Sequence, residues 1–139
     1  MTAYRHEYKH EINTSDFITL SMRLNAALKA DEFARADGAY EITSLYFDDV
    51  YGTALKEKIS GVNCRDKFRL RRYNNDTEHI RLEKKSKRGG LCLKECAVIT
   101  AAQAQSIIGG DIDFLAAQGG VMADLYSAVL VSYNGEYMG

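Results

Sequence analysis

Three β-strand patterns follow one another in NCRDKFRLRRYNNDTEHIRLEKKSKRGGLCLKECAVI, residues 63–99. A short polar loop separates residues 63–73 from residues 78–87, and a Gly-Gly pair precedes residues 91–99. Strand patterns joined by short turns are typical of antiparallel hairpins. The stretch therefore predicts three consecutive antiparallel strands.

Upstream, the chain begins with the pattern of a strand followed by that of a helix. Residues 4–12, YRHEYKHEI, alternate charged with ring-bearing or apolar side chains, which is the period of a strand. Residues 13–16, NTSD, supply N-cap side chains, and apolar residues then recur at helical spacing. We expect a first strand, and then a helix that ends before Asp37.

A second strand is predicted over residues 40–48, YEITSLYFD, because this stretch is rich in β-branched and aromatic residues. Tyr46 and Phe47 are expected in the core. Asp48 or Asp49 is suited to cap a short helix that follows.

Downstream of the three strands, the sequence predicts helices. Thr100 is suited to cap a helix that Gly109 ends, and a second short helix is expected over residues 111–119. Residues 121–133 fit a helix slightly better than a strand. We therefore expect an α+β fold, an antiparallel sheet with flanking helices, in a single domain over residues 1–139.

Side chains of a strand alternate between its two faces, so the charged residues of the three strands collect on one face. Phe68 and Leu70 in the first strand point the other way, and Ile80 and Leu82 mark the core side of the second. The face opposite the core is predicted to hold Arg65, Lys67, Arg69, Arg71, Arg81, Glu83, Lys85, Lys87 and Lys94.

This face is strongly basic, although the whole chain is not. Residues 65–94 contain eleven Lys or Arg against four acids, whereas the net charge of the chain is -1. Cations on neighbouring strands repel one another, so an anion is expected between them. Arg and Lys suit phosphate, and Glu7, Glu83 and Glu95 are candidates for counter-charge or for a divalent metal beside phosphate oxygens.

Two other interpretations of the basic face stay open. A charged strand face is usually the solvated side of a two-layer sheet. For Arg69, Arg71 and Lys85, the same-sign run on consecutive strands favours an anion site instead. Nucleic-acid binding would require aromatic side chains among the cations, and only Tyr73 is well placed for stacking on bases. The sequence argues against nucleic acid as a partner.

Composition excludes several other classes of protein. Cys64, Cys92 and Cys96 form no C-x-x-C pair, which argues against a disulfide framework and a thiolate zinc site. These thiols are expected to be reduced and half-buried. The sequence contains no run of about 18 apolar residues and no signal-peptide core. It predicts a cytoplasmic protein without a membrane segment.

Five pieces of the sequence, in this order and spacing, carry a resemblance to a known family. They are RHEYKHEI at 5–12, SLYFDD at 44–49, KFRLRRY at 67–73, RLEKKSK at 81–87 and KEC at 94–96. Together they make residues 4–108 resemble the VTC-type polyphosphate polymerase domain, a branch of the triphosphate tunnel (CYTH-like) metalloenzymes. The resemblance implies a β-barrel tunnel that is lined with Arg and Lys. It also implies ATP, triphosphate or polyphosphate as partners and Mn or Mg as cofactor.

The resemblance also implies roles for individual residues. The positions expected to bind phosphate are Lys9, Arg69, Arg71, Lys85 and Lys94. Further phosphate contacts are expected from Arg5, Arg65, Lys67, Arg81 and Lys87. Glu7 and Glu83 are candidate metal ligands, and no catalytic residue is assigned.

The activity itself stays open between three alternatives. Full-length relatives are expected to transfer the γ-phosphoryl group of ATP to polyphosphate. Hydrolysis of triphosphate, or a non-catalytic role as a sensor or scaffold for phosphate polymers, fits the same residues. The later strands of the tunnel have no counterpart, so we expect the N-terminal portion of the barrel only. The edge strands of such an open sheet favour a homodimer.

Overall fold

The computed structural model describes residues 3–32, 34–49 and 51–134. Residues 8–41 form one compact unit, and the rest of the described chain forms the other. In chain order the elements are β1 (Arg5–His6), α1 (Thr14–Ala27), β2 (Ile42–Tyr46), α2 (Thr53–Ile59), β3 (Cys64–Tyr73), β4 (Ile80–Arg88), β5 (Leu91–Ile99), α3 (Ala101–Ile108), a 3-10 helix (Asp113–Ala117) and α4 (Val121–Asn134).

The strands form one antiparallel sheet in the order β1-β5-β4-β3-β2. Asn74 and Asn75 in the β3–β4 turn, and Gly89 and Gly90 in the β4–β5 turn, have positive φ, which tight hairpin turns require. The predicted α+β class and antiparallel sheet are confirmed. Within the described residues β1 and β2 are the two edges of an open sheet, so closure into a tunnel stays a prediction.

The first strand is much shorter than the predicted residues 4–12. Arg5 pairs with Cys92 and His6 pairs with Leu91, which is the first residue of β5. Residues beyond His6 would face the turn at Gly90, where the backbone is no longer extended. The ladder therefore ends after two residues.

One face of the sheet packs against the C-terminal helices and forms the core. Leu70 and Leu82 contribute from the centre of the sheet, Leu115 from the 3-10 helix and Leu125 from α4. These four side chains are at most 5% exposed. Their burial supplies the hydrophobic stabilisation that holds the helices to the sheet.

Polar side chains begin the helices where the sequence predicts them. Oδ1 of Asn13 accepts a hydrogen bond from the backbone N–H of Asp16, and Oγ1 of Thr100 accepts one from Gln103. At α2, the side chain of Asp48 accepts hydrogen bonds from the N–H groups of the first turn. These contacts satisfy backbone donors that the helices leave free.

The C-terminal segment differs from expectation in one helix. A second short helix is predicted over residues 111–119, and the structure has a 3-10 helix there that is restricted to Asp113–Ala117. A single turn of this length is commonly 3-10, because it closes i to i+3 hydrogen bonds with few residues. Residues 121–133 are helical, as predicted.

Candidate functional site

The side of the sheet opposite the core carries the predicted cations. The β3–β4 register pairs Arg69 with Glu83 and Leu70 with Leu82, and directly paired residues share a face. Because Leu70 and Leu82 are core residues, Arg69 and Glu83 lie on the other side. We call this side the cationic face. Its members are Arg5, Arg65, Lys67, Arg69, Arg71, Arg81, Glu83, Lys85, Lys87 and Lys94.

Like charges lie directly opposite one another on the cationic face. Lys67 on β3 is paired with Lys85 on β4, an arrangement that is destabilising when no anion compensates it. Partial burial lowers the pKa of Lys67, and the charges of Lys85 and Lys58 lower it further. The protein therefore holds Lys67 in an environment that disfavours its own positive charge.

Glu83 is the buried anion of this face, with 1% of its side chain exposed. Its Oε2 accepts a 2.6 Å hydrogen bond from Nε of Arg69, and its Oε1 lies 2.8 Å from Nζ of Lys94. The second contact is an ion pair without the alignment of a hydrogen bond. Burial by itself would raise the pKa of Glu83, but its contacts with Lys94 and Arg69 outweigh burial and hold the pKa below its ordinary value.

Lys85 is paired with a carboxylate from the first strand region. Its Nζ donates a 2.6 Å hydrogen bond to Oε2 of Glu7, which directly follows β1. Lys85 also lies opposite Lys67 on one side and Lys94 on the other. Glu7 thus neutralises the ammonium group that has cations on both neighbouring strands.

The edge strand β2 presents hydroxyl groups to the arginines of β3. Nη1 of Arg69 donates a 3.0 Å hydrogen bond to the hydroxyl of Tyr46, and Nε of Arg71 donates one of 3.1 Å to Ser44. Tyr46 is 52% exposed, so the prediction that it belongs to the core is wrong. The register places Tyr46 opposite Arg69 on the cationic face, whereas Phe47 packs against the core.

The remaining predicted cations lie towards the margins or outside the sheet. Nη1 of Arg65 donates to two backbone carbonyl oxygens, one in α2 and one in the turn after it, each at 3.2 Å. The guanidinium of Arg81 lies over the ring of Tyr73, 5.7 Å from its centroid. Lys9 belongs to the unit of residues 8–41, and its predicted role in phosphate binding stays a prediction.

The family of the chain follows from a comparison with known protein domains. The family model of the VTC domain matches residues 4–133. The chain belongs to the VTC domain family. This membership suggests a polyphosphate-related function, and the match includes α3 and most of α4 as well as the strands. No curated protein and no solved structure matches the chain significantly.

None of the helices described for this VTC domain has the length and the apolar character of a membrane span. The three thiols are free. Cys92 is half-buried as expected, but Cys64 and Cys96 are exposed. Cys96 is paired with Glu83 on the cationic face, whereas Cys64 is the first residue of β3.

Of the three carboxylates expected to supply counter-charge or to hold a metal, Glu95 lies opposite Lys84 on the core side of the sheet, away from the cationic face. The other two both face cations. The oxygens of Glu83 contact Arg69 and Lys94, and Oε2 of Glu7 contacts Lys85. Among the described residues, no group of three or more His, Cys, Asp or Glu side chains is arranged to hold a metal ion. Because Mn and Mg require several oxygen ligands, these carboxylates do not form a ready-made site. Metal binding stays a prediction.

Sequence reasoning did not predict an ionic contact between the core side of the sheet and α4. Nζ of Lys84 donates a 2.8 Å hydrogen bond to Asp124, which ties β4 to α4. Burial lowers the pKa of Lys84, but the contact with Asp124 outweighs burial and leaves the pKa raised. Strand alternation was the available signal, because Lys84 has the same parity as the core residue Leu82.

A groove of about 1270 Å³ lies away from the centre of the cationic face. Apolar side chains from the sheet and the C-terminal helices line it, among them Leu45, Phe68, Ile107 and Leu125. Its lining includes none of the central cations Arg69, Arg71, Lys85 and Lys94. Arg65, Lys67 and Tyr46 do belong to the lining, so the margin of the cationic face borders this groove while the central cations lie outside it.

Proposed function

We propose that the cationic face of this VTC domain binds the phosphate chain of polyphosphate or of a nucleoside triphosphate. The excess of positive charge is the observation that supports this function. Within the described sheet, the face carries nine Lys or Arg side chains and one strand carboxylate, Glu83. Phosphate oxygens would supply the missing negative charge, and the guanidinium groups of Arg69 and Arg71 suit bidentate contacts with them.

The arrangement of the cations suits a chain better than a single ion. Side chains on one face repeat about every 7 Å along a strand, and neighbouring strands are about 4.8 Å apart. Arg69 and Arg71 on β3, Lys85 on β4 and Lys94 on β5 therefore form a two-dimensional array. Such an array contacts several successive phosphate groups of one polymer.

For the chemical step, we propose transfer of the γ-phosphoryl group of ATP to the end of a polyphosphate chain. This reaction depends mainly on positioning and on neutralising the charge of the phosphate oxygens, and it requires no protein nucleophile. Arg69, Arg71 and Lys85 would supply both effects. In this proposal Mn or Mg binds only together with the phosphate chain, because Glu7 and Glu83 already contact cations of the protein.

A second candidate function is binding without catalysis, as a sensor or scaffold for phosphate polymers. The open sheet favours this role, because the strands of the described residues do not close around the cationic face. Transfer to an acceptor other than water requires that water be kept away from the reacting phosphate. With water as acceptor, the same contacts would support hydrolysis of triphosphate.

Calorimetric titration with tripolyphosphate, with ATP, and with each of them plus Mn tests the binding function. The test variant carries Arg71→Ala and Lys85→Ala, and the control is Lys56→Ala on the exposed surface of α2. Each lost charged hydrogen bond is expected to weaken binding about tenfold, whereas the control keeps the wild-type affinity. A folded wild-type protein that binds neither ligand would overturn the proposal.

Incubation of the wild-type protein with ATP and a short polyphosphate separates the chemical alternatives. Longer polyphosphate together with ADP indicates transfer. Release of inorganic phosphate without chain growth indicates hydrolysis. Binding without either product supports the sensor or scaffold.

A further inference from the structure

Tyr46 has an unusual position for an aromatic residue of this sheet. It is the last residue of β2, its side chain is 52% exposed, and its partner in the register is Arg69. Nζ of Lys67 and Cζ of Arg69 lie 5.7 and 5.8 Å from the centroid of its ring. These cation–π contacts orient the ring at the edge of the cationic face.

The direction of the hydrogen bond at Tyr46 leaves its own proton for another partner. A guanidinium group has donors but no acceptor, so the 3.0 Å contact uses Nη1 of Arg69 as donor and the phenolic oxygen as acceptor. The O–H of Tyr46 therefore points away from Arg69. Ser44, two residues earlier on β2, has the same relationship with Nε of Arg71. The repetition shows that β2 places hydroxyls beside successive arginines.

We propose that the hydroxyl of Tyr46 is a further ligand of the phosphate chain, donating its proton to a phosphate oxygen that Arg69 also contacts. The inference rests on the proposed function. It adds an uncharged hydrogen-bond donor to a face whose other proposed phosphate ligands are cations. The hydrogen bond from Arg69 lowers the pKa of Tyr46; burial opposes this, and the charges of Arg69, Lys67 and Arg71 lower the pKa further. A more acidic phenol is a stronger donor to an anion.

Tyr46→Phe removes the hydroxyl and keeps the ring that stacks against Lys67 and Arg69. Titration of this variant with tripolyphosphate is expected to show about tenfold weaker binding, as for loss of a hydrogen bond to a charged group. The matched control is Tyr126→Phe, which removes a hydroxyl from α4 on the core side of the sheet. The control is expected to bind like the wild type.

A second comparison separates direct binding from mere positioning of Arg69. An Arg69→Lys variant lacks the guanidinium. If the Tyr46 hydroxyl acts only by positioning that guanidinium, removing the hydroxyl from this variant should not change the affinity for tripolyphosphate. If Tyr46 is a ligand, adding Tyr46→Phe to Arg69→Lys weakens binding again by a similar factor. Loss of the effect in this background would overturn the inference, because the hydroxyl would then act only through the Arg69 guanidinium.

The outcomes also distinguish this inference from the proposed function. If the folded wild-type protein does not bind tripolyphosphate, the proposed function fails and the ligand role of Tyr46 fails with it. If the wild type binds and Tyr46→Phe binds equally well, only the role of Tyr46 is overturned.

Discussion

Nε of Arg69 donates a 2.6 Å hydrogen bond to Oε2 of Glu83, the residue directly opposite it on the neighbouring strand. The carboxylate is 1% exposed and also contacts Lys94 from the other neighbouring strand. One buried anion thus holds cations from β3 and β5 on either side of β4. The pair organises the surface to which we assign phosphate binding.

Glu83→Gln is expected to lower the free energy of unfolding by about 3 kcal/mol, because Arg69 and Lys94 lose their shared counter-charge in a partly buried site. Urea unfolding followed by circular dichroism measures the change. The control is Glu95→Gln, whose carboxylate is more exposed and lies 4.0 Å from Lys84, and which should cost less than about 1 kcal/mol. Equal losses in the two variants would contradict the central role of Glu83.

Acid is expected to destabilise the protein through Glu83. The pKa of this carboxyl lies below its ordinary value of 4.5 in the folded chain, so its contribution is fully present above pH 4.5. The contribution is lost as the pH falls through the folded-state pKa, because protonation removes the ion pairs. Unfolding measured against pH should show a smaller acid-induced loss in Glu83→Gln than in the wild type. An unchanged acid dependence would show that other carboxyls dominate.

Glu7→Gln separates two roles of Glu7. If Glu7 competes with phosphate for Lys85, its neutralisation is expected to strengthen metal-free binding of tripolyphosphate about threefold, as for loss of a partly exposed ion pair. If Glu7 instead holds Mn, the variant loses the part of the affinity that Mn adds. Titrations with and without Mn measure both effects. Glu95→Gln, on the core side of the sheet, is the control and should change neither.

Binding of phosphate is expected to take up protons at Lys67. In the free protein the pKa of Lys67 lies below its ordinary value of 10.5. A bound polyanion favours the charged ammonium group and therefore raises the pKa of Lys67. Affinity should therefore fall as the pH rises through the lowered pKa. Calorimetry in buffers with different ionisation enthalpies measures the uptake.

Lys67→Arg is the matched variant for this prediction, because arginine stays charged throughout the accessible pH range. It should bind phosphate without the uptake that Lys67 causes. Tyr46 also has a lowered pKa on this face, so the same titrations with Tyr46→Phe separate its contribution. Uptake that persists in Lys67→Arg and disappears in Tyr46→Phe would assign the proton to the phenol.

The periodicity of the chain was sufficient to predict which side chains of β3, β4 and β5 share a face. Alternation is a property of each strand alone, so Arg69 and Leu70 are separated without any knowledge of their neighbours. Capping was also predictable, since Asn13 and Thr100 act on backbone groups within three residues. These features depend on local geometry.

Contacts between residues far apart in sequence were not predictable in the same way. The burial of Glu83 between Arg69 and Lys94 depends on the registers of two hairpins, and the pairing of Glu7 with Lys85 joins residues that are 78 positions apart. Tyr46 was misplaced because β2 has apolar or aromatic residues on both faces. Only pairing with β3 decides which of them meets the cations.

By itself, therefore, the sequence determined the α+β class, the family and the existence of a basic strand face. The tertiary structure decided how that face is neutralised: Glu83 is buried between two cations, Glu7 reaches Lys85, and Tyr46 joins Arg69. The physical reason is that alternation is set by the backbone of one strand. Burial and ion pairing are set by strand register and by what covers each face.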